Sequence, residues 1–432
     1  MRPQHLSQEE AEQASAAGVP EATVPVLAAG ERAPLTTAQR WRAVLVLGSL
    51  IALGPLSIDM YLPALPALTG DLDASASAVQ LTLTGTLVGL ALGQLLIGPL
   101  SDAYGRKRPL VAGIALHVVT SVLCALAPSI TVLGALRVLQ GVGVAAASVV
   151  AMAVVRDLFS GSAAAAVLSR LILVMGLAPV LAPSLGGAVL EVGSWRTVFL
   201  VLACFGLGLM AVAVFALRET LPPQRRVAAG LRPTLRGYRE LLRDRTLVGM
   251  MLVAGLTMAA VFAYVSGSPF VLQQGFGLDE RTFALVFGAG AVGLVAASQV
   301  NVVLLGRFAP ERILTAALTA GAVAGLVLVV TALTGLGGIY GILLPLWVVL
   351  AVVALCGPNA AAVALSRHGE RAGAAAALLG SAQFGVGAAV APLTGLGTPG
   401  SAVPMALAIA GTLLTASVLV RLTLRPARAT AA

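Results

Sequence analysis

Charge is scarce in this sequence. Only 10% of its 432 residues are Asp, Glu, Lys or Arg, against about a quarter in a soluble globular chain. Lys107 is the only lysine, and no Gly-x-x-x-x-Gly-Lys-Ser/Thr run contains it, which excludes a phosphate-binding loop and leaves a gradient or a partner subunit as any energy source. Cysteine is as sparse. Cys124, Cys204 and Cys356 fall inside apolar runs with no CxxC or Cys/His spacing, so neither a disulfide framework nor a metal site is expected. His117 and His368 have no ligand-spaced partner and receive no role. No nucleophile, base or metal constellation stands out, so the chain does not read as an enzyme.

What the chain has in excess is apolar length: 58% of residues are hydrophobic and the mean hydropathy is +0.97. A helix crossing a hydrocarbon core needs roughly twenty apolar residues, and such runs follow one another almost end to end. We read an all-α polytopic membrane protein with twelve spans, at 43–66, 79–100, 110–127, 130–154, 167–190, 195–217, 246–271, 282–304, 312–334, 338–366, 373–395 and 401–422. Residues 1–42, rich in Ala, Glu, Gln, Pro and Thr, read as a disordered tail; 218–245 is a basic linker and 423–432 a second tail. The two six-helix halves are then 43–217 and 246–422, an arrangement that suggests a duplicated bundle around a central site. Gly105-Arg106 after span two and Gly306-Arg307 after span eight form a faint repeat.

The net charge of +9 does not mark a nucleic-acid partner, because the basic residues sit in short clusters between apolar runs. They set orientation instead. With both termini cytoplasmic, only Arg196 and Arg281 of the 27 Lys and Arg fall outside, and Arg137 alone lies deep in a span. The partners expected are the lipid bilayer, protons and a small molecule, with the chain acting as a monomer. Gly288-Ala-Gly290-Ala-Val-Gly293 has the dinucleotide-binding spacing but lies in an apolar span with no strand before it. Close helix packing is the better reading.

Of the eighteen acidic residues only Asp59 is clearly within a span. Asp59 lies about seven residues before the outer end of span one and Arg137 about seven after the outer start of span four, so both sit roughly 10 Å below the same surface. They could meet. Intramembrane charges are expensive and mark transport paths or structural pairs, and both readings stay open. Gln140, one turn from Arg137, could orient its guanidinium or serve as packing glue. Tyr61, Met258, Phe262, Tyr264, Gln273, Asn359 and Gln383 are, with Gln140, candidates for cavity lining, with core packing the default for each.

Ser57-Ile-Asp59-Met-Tyr61-Leu-Pro63-Ala-Leu-Pro66 resembles the first-helix signature of the bicyclomycin-resistance (Bcr/CflA) drug exporters of the major facilitator superfamily. Gly98-Pro-Leu-Ser-Asp102-Ala-Tyr-Gly105-Arg106-Lys107-Arg108 resembles the superfamily's loop motif, and Leu136-Arg137-Val-Leu-Gln140-Gly141-Val-Gly143 its fourth-helix motif. Ala182-Pro183-Ser184-Leu185-Gly186-Gly187 is similar to the antiporter motif, with Ala182 in place of its first glycine. The resemblance implies the major facilitator fold and proton-coupled efflux of drug-like or antibiotic molecules across a bacterial inner membrane by alternating access. It implies no cofactor beyond the proton gradient. Asp59 with Arg137 would then couple protons, and Gly98, Asp102, Gly105, Arg106, Pro183, Gly186 and Gly187 would govern the conformational change. A proton-coupled uptake symporter of a small metabolite and a transport-inactive membrane sensor are the alternatives. Counterflow from preloaded vesicles separates the first, and indifference to neutralising Asp59 the second.

Overall fold

A computed structural model describes residues 37–429 apart from 160, 228–229, 367, 369–370 and 399. Most of the expected N-terminal tail thus lies outside the described residues. The chain divides into two units, 1–42 and 43–432. Of the first only 37–42 is described, and it is helical.

The described residues are all-helical, and twelve helices are long and apolar enough to cross a membrane. Spans one to six are Trp41–Asp71, Ala76–Tyr104, Lys107–Ala125, Ile130–Leu158, Ala166–Val192 and Trp195–Phe215. Spans seven to twelve are Arg245–Gly275, Glu280–Leu305, Pro310–Thr334, Gly338–Leu365, Ala372–Gly395 and Val403–Leu424. The last helix continues past residue 422 to Ala429, into the segment read as a tail. The linker holds a 3-10 turn, Pro223–Arg225, and one further α-helix, Leu231–Leu241.

Local chemistry sets several helix starts. Ser75, Ser129, Ser194, Asp244 and Asp279 each accept backbone N–H groups of the first turn that follows, satisfying donors a helix start leaves orphaned. Spans nine, ten and eleven start without such a cap, and so does span three, where Arg106 offers none. Its donors are met by a carboxylate from a distant part of the chain, described below.

Without water to drive association, helices in lipid pack through small residues and shape. Gly85, Gly89 and Gly93 of span two, one turn apart, lie directly on span four, where a Cβ on Gly141 would collide with the Thr86 carbonyl. The packing pattern repeats between halves: spans two and four match eight and ten, three and four match nine and ten, and three and six match nine and twelve. Between halves the principal contacts are span two on eleven and span five on eight, again a matching pair. The duplication that the sequence barely retains is therefore explicit in the packing. We call the end of the bundle with the connection between spans one and two the Trp195 face, and the opposite end the Arg106 face.

Candidate functional site

Span one is not continuous. Its first helix, Thr37–Asp59, ends at the acid itself, and the chain passes through a 3-10 turn, Leu62–Ala64, into the short helix Leu65–Asp71. Pro63 and Pro66 explain the interruption, because neither carries the N–H that would bond the carbonyl four residues earlier. Asp59 thus stands at a helix C-terminus inside the membrane span, 6% exposed.

Arg137 is fully buried at the same level, but it does not pair with Asp59. Its Nη1 and Nη2 both donate to the Ser57 carbonyl at 3.1 Å, and Nη1 also donates to Gln140 Oε1 at 2.5 Å. The guanidinium carbon lies 4.9 Å from the Tyr61 ring centroid and 5.5 Å from that of Phe199. The expected meeting of acid and base is corrected on a physical ground. A helix C-terminus presents carbonyls with a partial negative charge, and a planar fork of donors can take one of them and a π face together. The Asp59 carboxyl has no hydrogen-bond or ion-pair partner among the described residues; Tyr264 of span seven lies within electrostatic range.

Around this break the helices are in close register. A Cβ on Gly186 of span five would collide with the Met60 carbonyl, whereas Gly187 meets span eight at ordinary distance, 3.6 Å from the Glu280 carbonyl. The glycine pair therefore sits between the break and the other half, with Pro183 one turn before it. Tyr61 bonds Thr82 Oγ1 at 3.1 Å and packs on Phe199, which meets Trp195 edge-on. Trp195 Nε1 donates to Asp71 at 2.9 Å.

The remaining cavity candidates separate. Tyr264 stacks on Phe287 with centroids 5.0 Å apart, and Phe262 meets Phe384 at 6.0 Å. Met258 and Gln383 are half-buried. Asn359 turns away into its own half, bonding Asn301 at 2.7 Å. Gln273 instead ties the halves together at the Trp195 face, through the Pro63 carbonyl at 3.4 Å. Two further bonds close that face, Ser77 Oγ to the Gly395 carbonyl at 2.8 Å and Gln80 Nε2 to the Ser266 carbonyl at 3.2 Å. Sequence reasoning missed both, since a backbone carbonyl is a partner no residue letter announces. An apolar groove of about 400 Å³ between spans eight and ten, lined by residues such as Leu285, Tyr340 and Trp347, borders none of the candidates.

At the Arg106 face the motif residues converge on one guanidinium. Arg106 bonds Asp102 at 2.5 Å, Ser101 at 2.8 Å and Asp157 of span four at 2.9 Å. Asp157 also accepts from Thr220. Burial works against the Arg106 charge, but Asp157 and Asp102 outweigh it and raise its pKa. Gly105, at φ 88°, makes the turn that a side chain would resist. Gly98 has nothing against it. Glu219, just beyond span six, is the missing cap of span three, accepting the N–H groups of Arg106 and Lys107 at 2.9 and 3.2 Å. Burial opposes its charge, yet backbone donors from Leu221, Arg106, Lys107 and Thr220 hold its carboxyl below the usual range. Asp157 and Glu219 were not foreseen. The signal for Glu219 was an acid beside Thr220 where an arginine-rich loop begins.

The linker helix docks at this face, Tyr238 donating to the Leu95 carbonyl at 3.0 Å. Glu240 pairs with Arg371 at 2.7 Å and Asp244 with His368 at 3.0 Å. No group of three or more potential metal ligands occurs among the described residues.

A sequence profile described as Major Facilitator Superfamily matches residues 47–392. An uncharacterized MFS-type transporter, YdgK of Bacillus subtilis, is 37% identical over 376 residues, 86% of this chain and 92% of the relative. A bicyclomycin resistance protein homolog of Haemophilus influenzae is 33% identical, over 84% of this chain and 91% of its own. The multidrug resistance protein MdtL of Escherichia fergusonii is 31% identical, over 78% and 83%. Among solved structures, the xylose transporter XylE from E. coli in a partially occluded inward open conformation superposes with a TM-score of 0.71 at 14% identity, covering 88% of this chain and 97% of that one. A bacterial homolog of the human lysosomal transporter Spinster, inward-facing and occupied, gives 0.68 at 17% identity, covering 90% and 98%.

Proposed function

The chain belongs to the major facilitator superfamily, and from that premise we propose that it is a proton-coupled exporter of small drug-like molecules, working by alternating access across a bacterial inner membrane. Relatives named for bicyclomycin resistance and multidrug resistance support the export reading. The observation that carries the proton-coupled reading is Asp59: an acid at a helix break inside a span, buried and in no ion pair among the described residues. Charge at such a site costs several kcal/mol unless it is paired or reached by water. Its protonation therefore depends on which face of the bundle is open.

The mechanism follows from what surrounds it. Asp59 belongs to one half, while Tyr264, stacked on Phe287, approaches from the other. Rocking of the halves changes the acid's neighbours without breaking span one. A proton enters from the outer side, the conformer changes, and substrate arriving from the cytoplasm displaces the proton inward. Arginine placement supports a cytoplasmic Arg106 face, since Arg196 and Arg281 are, among the described residues, the only basic residues in the connections at the other. On this reading the bonds at Ser77, Gln80 and Gln273 close the outer gate in the present conformation. The aromatic pairs suit apolar ring systems, and Gln383 could supply a hydrogen bond.

The test is substrate-induced proton release in proteoliposomes, with substrates found by drug-susceptibility profiling in an exporter-deficient bacterium. Wild type should release protons, Asp59→Glu partly, and Asp59→Asn not at all. Gradient-driven export by Asp59→Asn at normal abundance would place the carrier elsewhere.

A further inference from the structure

Ser121, in span three, belongs to none of the motifs, yet it completes a hydrogen-bond chain that begins at the break in span one. The Ser57 carbonyl and Gln140 Oε1 take the guanidinium of Arg137. Gln140 Nε2 donates to Ser121 Oγ at 2.7 Å, and Ser121 Oγ donates to the His117 carbonyl at 2.7 Å. Ser121, Gln140, Arg137 and His117 are all fully buried.

The chain has one polarity. A guanidinium offers donors only, so the Gln140 amide must turn its oxygen toward Arg137 and its NH2 the other way. That NH2 then needs an acceptor in a site without bulk water, and an unmet one costs about 1–3 kcal/mol. Ser121 is that acceptor, because its own proton is held by the His117 carbonyl. The His117 ring lies beside it, Nε2 at 3.5 Å from Ser121 Oγ. Gly143 of span four and Gly206 of span six leave the room, since a Cβ on the first would crowd the His117 backbone and on the second its ring.

We infer that Ser121 is a positioning residue: it fixes the Gln140 amide, and through it holds Arg137 on the Ser57 carbonyl and off the Asp59 carboxyl. The inference rests on the reading of Asp59 as proton carrier. Ser57 and Tyr61, the two groups of span one that Arg137 contacts, flank Asp59 in sequence, and Asp59 is the one acid deep within a span among the described residues, so it is the anion open to a released guanidinium. The charged and titratable groups facing the pair are Tyr61 on span one, Tyr264 on span seven, and His117 and Cys124 on span three. None supplies a competing anion at neutral pH.

The experiment follows the protonated-carboxyl infrared band of Asp59, identified as the band lost in Asp59→Asn, through a pH titration of the purified full-length protein in lipid. It needs no substrate. In Ser121→Ala the Gln140 amide loses its acceptor and is free to turn its oxygen from Arg137, so the midpoint should fall by about one unit or more, the scale of a cation arriving beside a carboxylate. Ser121→Thr, which keeps the hydroxyl, should titrate like wild type. Ser121→Cys, nearly isosteric with a weak acceptor, should shift in the same direction as Ala and decides the matter if Ala does not fold. A purely structural serine would change abundance and leave the midpoint in place, and that result overturns the inference. A wild type with no band removed by Asp59→Asn overturns the reading of Asp59 itself, and this inference with it.

Discussion

The guanidinium of Arg137 rests on the carbonyl of Ser57, with both terminal nitrogens at 3.1 Å. The buried charge is neutralised by backbone dipoles, an amide oxygen and two aromatic faces, and not by the acid two residues along the chain. Acid and base are thereby uncoupled in stability.

Asp59→Asn should therefore insert and accumulate like wild type, because Arg137 keeps every partner it has. Arg137→Met should not. It strips the Ser57 carbonyl and Gln140 Oε1 of their donor in a dry site, at about 1–3 kcal/mol for each group left unmet. Membrane abundance and thermal unfolding in detergent, measured side by side, check the asymmetry. Equal losses in the two variants would restore a direct Asp59–Arg137 pair.

Adjacent glycines of the antiporter-like motif should respond differently. Gly186→Ala drives a Cβ into the Met60 carbonyl and must displace the break beside Asp59, whereas Gly187→Ala meets only ordinary contacts with span eight. Transport should fall at least about tenfold in the first, the size of effect that small misplacements near a working site produce, and within about twofold of wild type in the second. Initial export rates at matched abundance decide it.

Much of this was legible in the letters, and the remainder was hidden for identifiable reasons. The twelve spans follow from apolar run length, which bilayer thickness enforces. The common depth of Asp59 and Arg137 followed from residue rise, and Gln140 was read as a group that could orient the guanidinium, the contact the structure has. Their expected meeting failed because the competitor was the Ser57 carbonyl in the last turn of the helix that ends at Asp59, and carbonyls are the same at every position. Asp157 and Glu219 escaped notice because each looks like an ordinary loop-end charge. Only the fold brings them 51 and 113 residues back to Arg106.

The Glu219 cap has a pH signature. Its carboxyl is held below the usual range, so the stability it contributes is present above the unfolded value, about 4.3, and is lost as pH falls through the lower folded value. Glu219→Gln should unfold at a lower temperature than wild type at pH 7, with the gap closing below about pH 4. A gap independent of pH would assign the loss to packing.

Asp102→Asn and Arg106→Ala should slow interconversion of the halves and leave substrate binding largely intact, because Arg106, Asp102 and Asp157 form their cluster at the end of the bundle opposite the Trp195 face. Binding isotherms and export rates on the same preparations separate the two effects. Binding lost as severely as transport would move the motif into the substrate site.

If the halves alternate as proposed, the Trp195 face gives the most direct view of it. Ser266 is fully buried there, and Gln80 holds its carbonyl, not its hydroxyl, so Ser266→Cys leaves the inter-half bond in place. Because the new thiol is covered while this face is closed, its labelling by a membrane-impermeant maleimide reports opening. The exposed Cys204 is first replaced by Ser. Gln80→Leu then removes one hydrogen bond between the halves, worth about 1 kcal/mol, and should raise the labelling rate about fivefold by shifting the conformer ratio. The reagent should work when added outside intact cells. Labelling only from the cytoplasmic side would reverse the topology, and an unchanged rate in Gln80→Leu would mean that Ser77 and Gln273 hold this face closed without it.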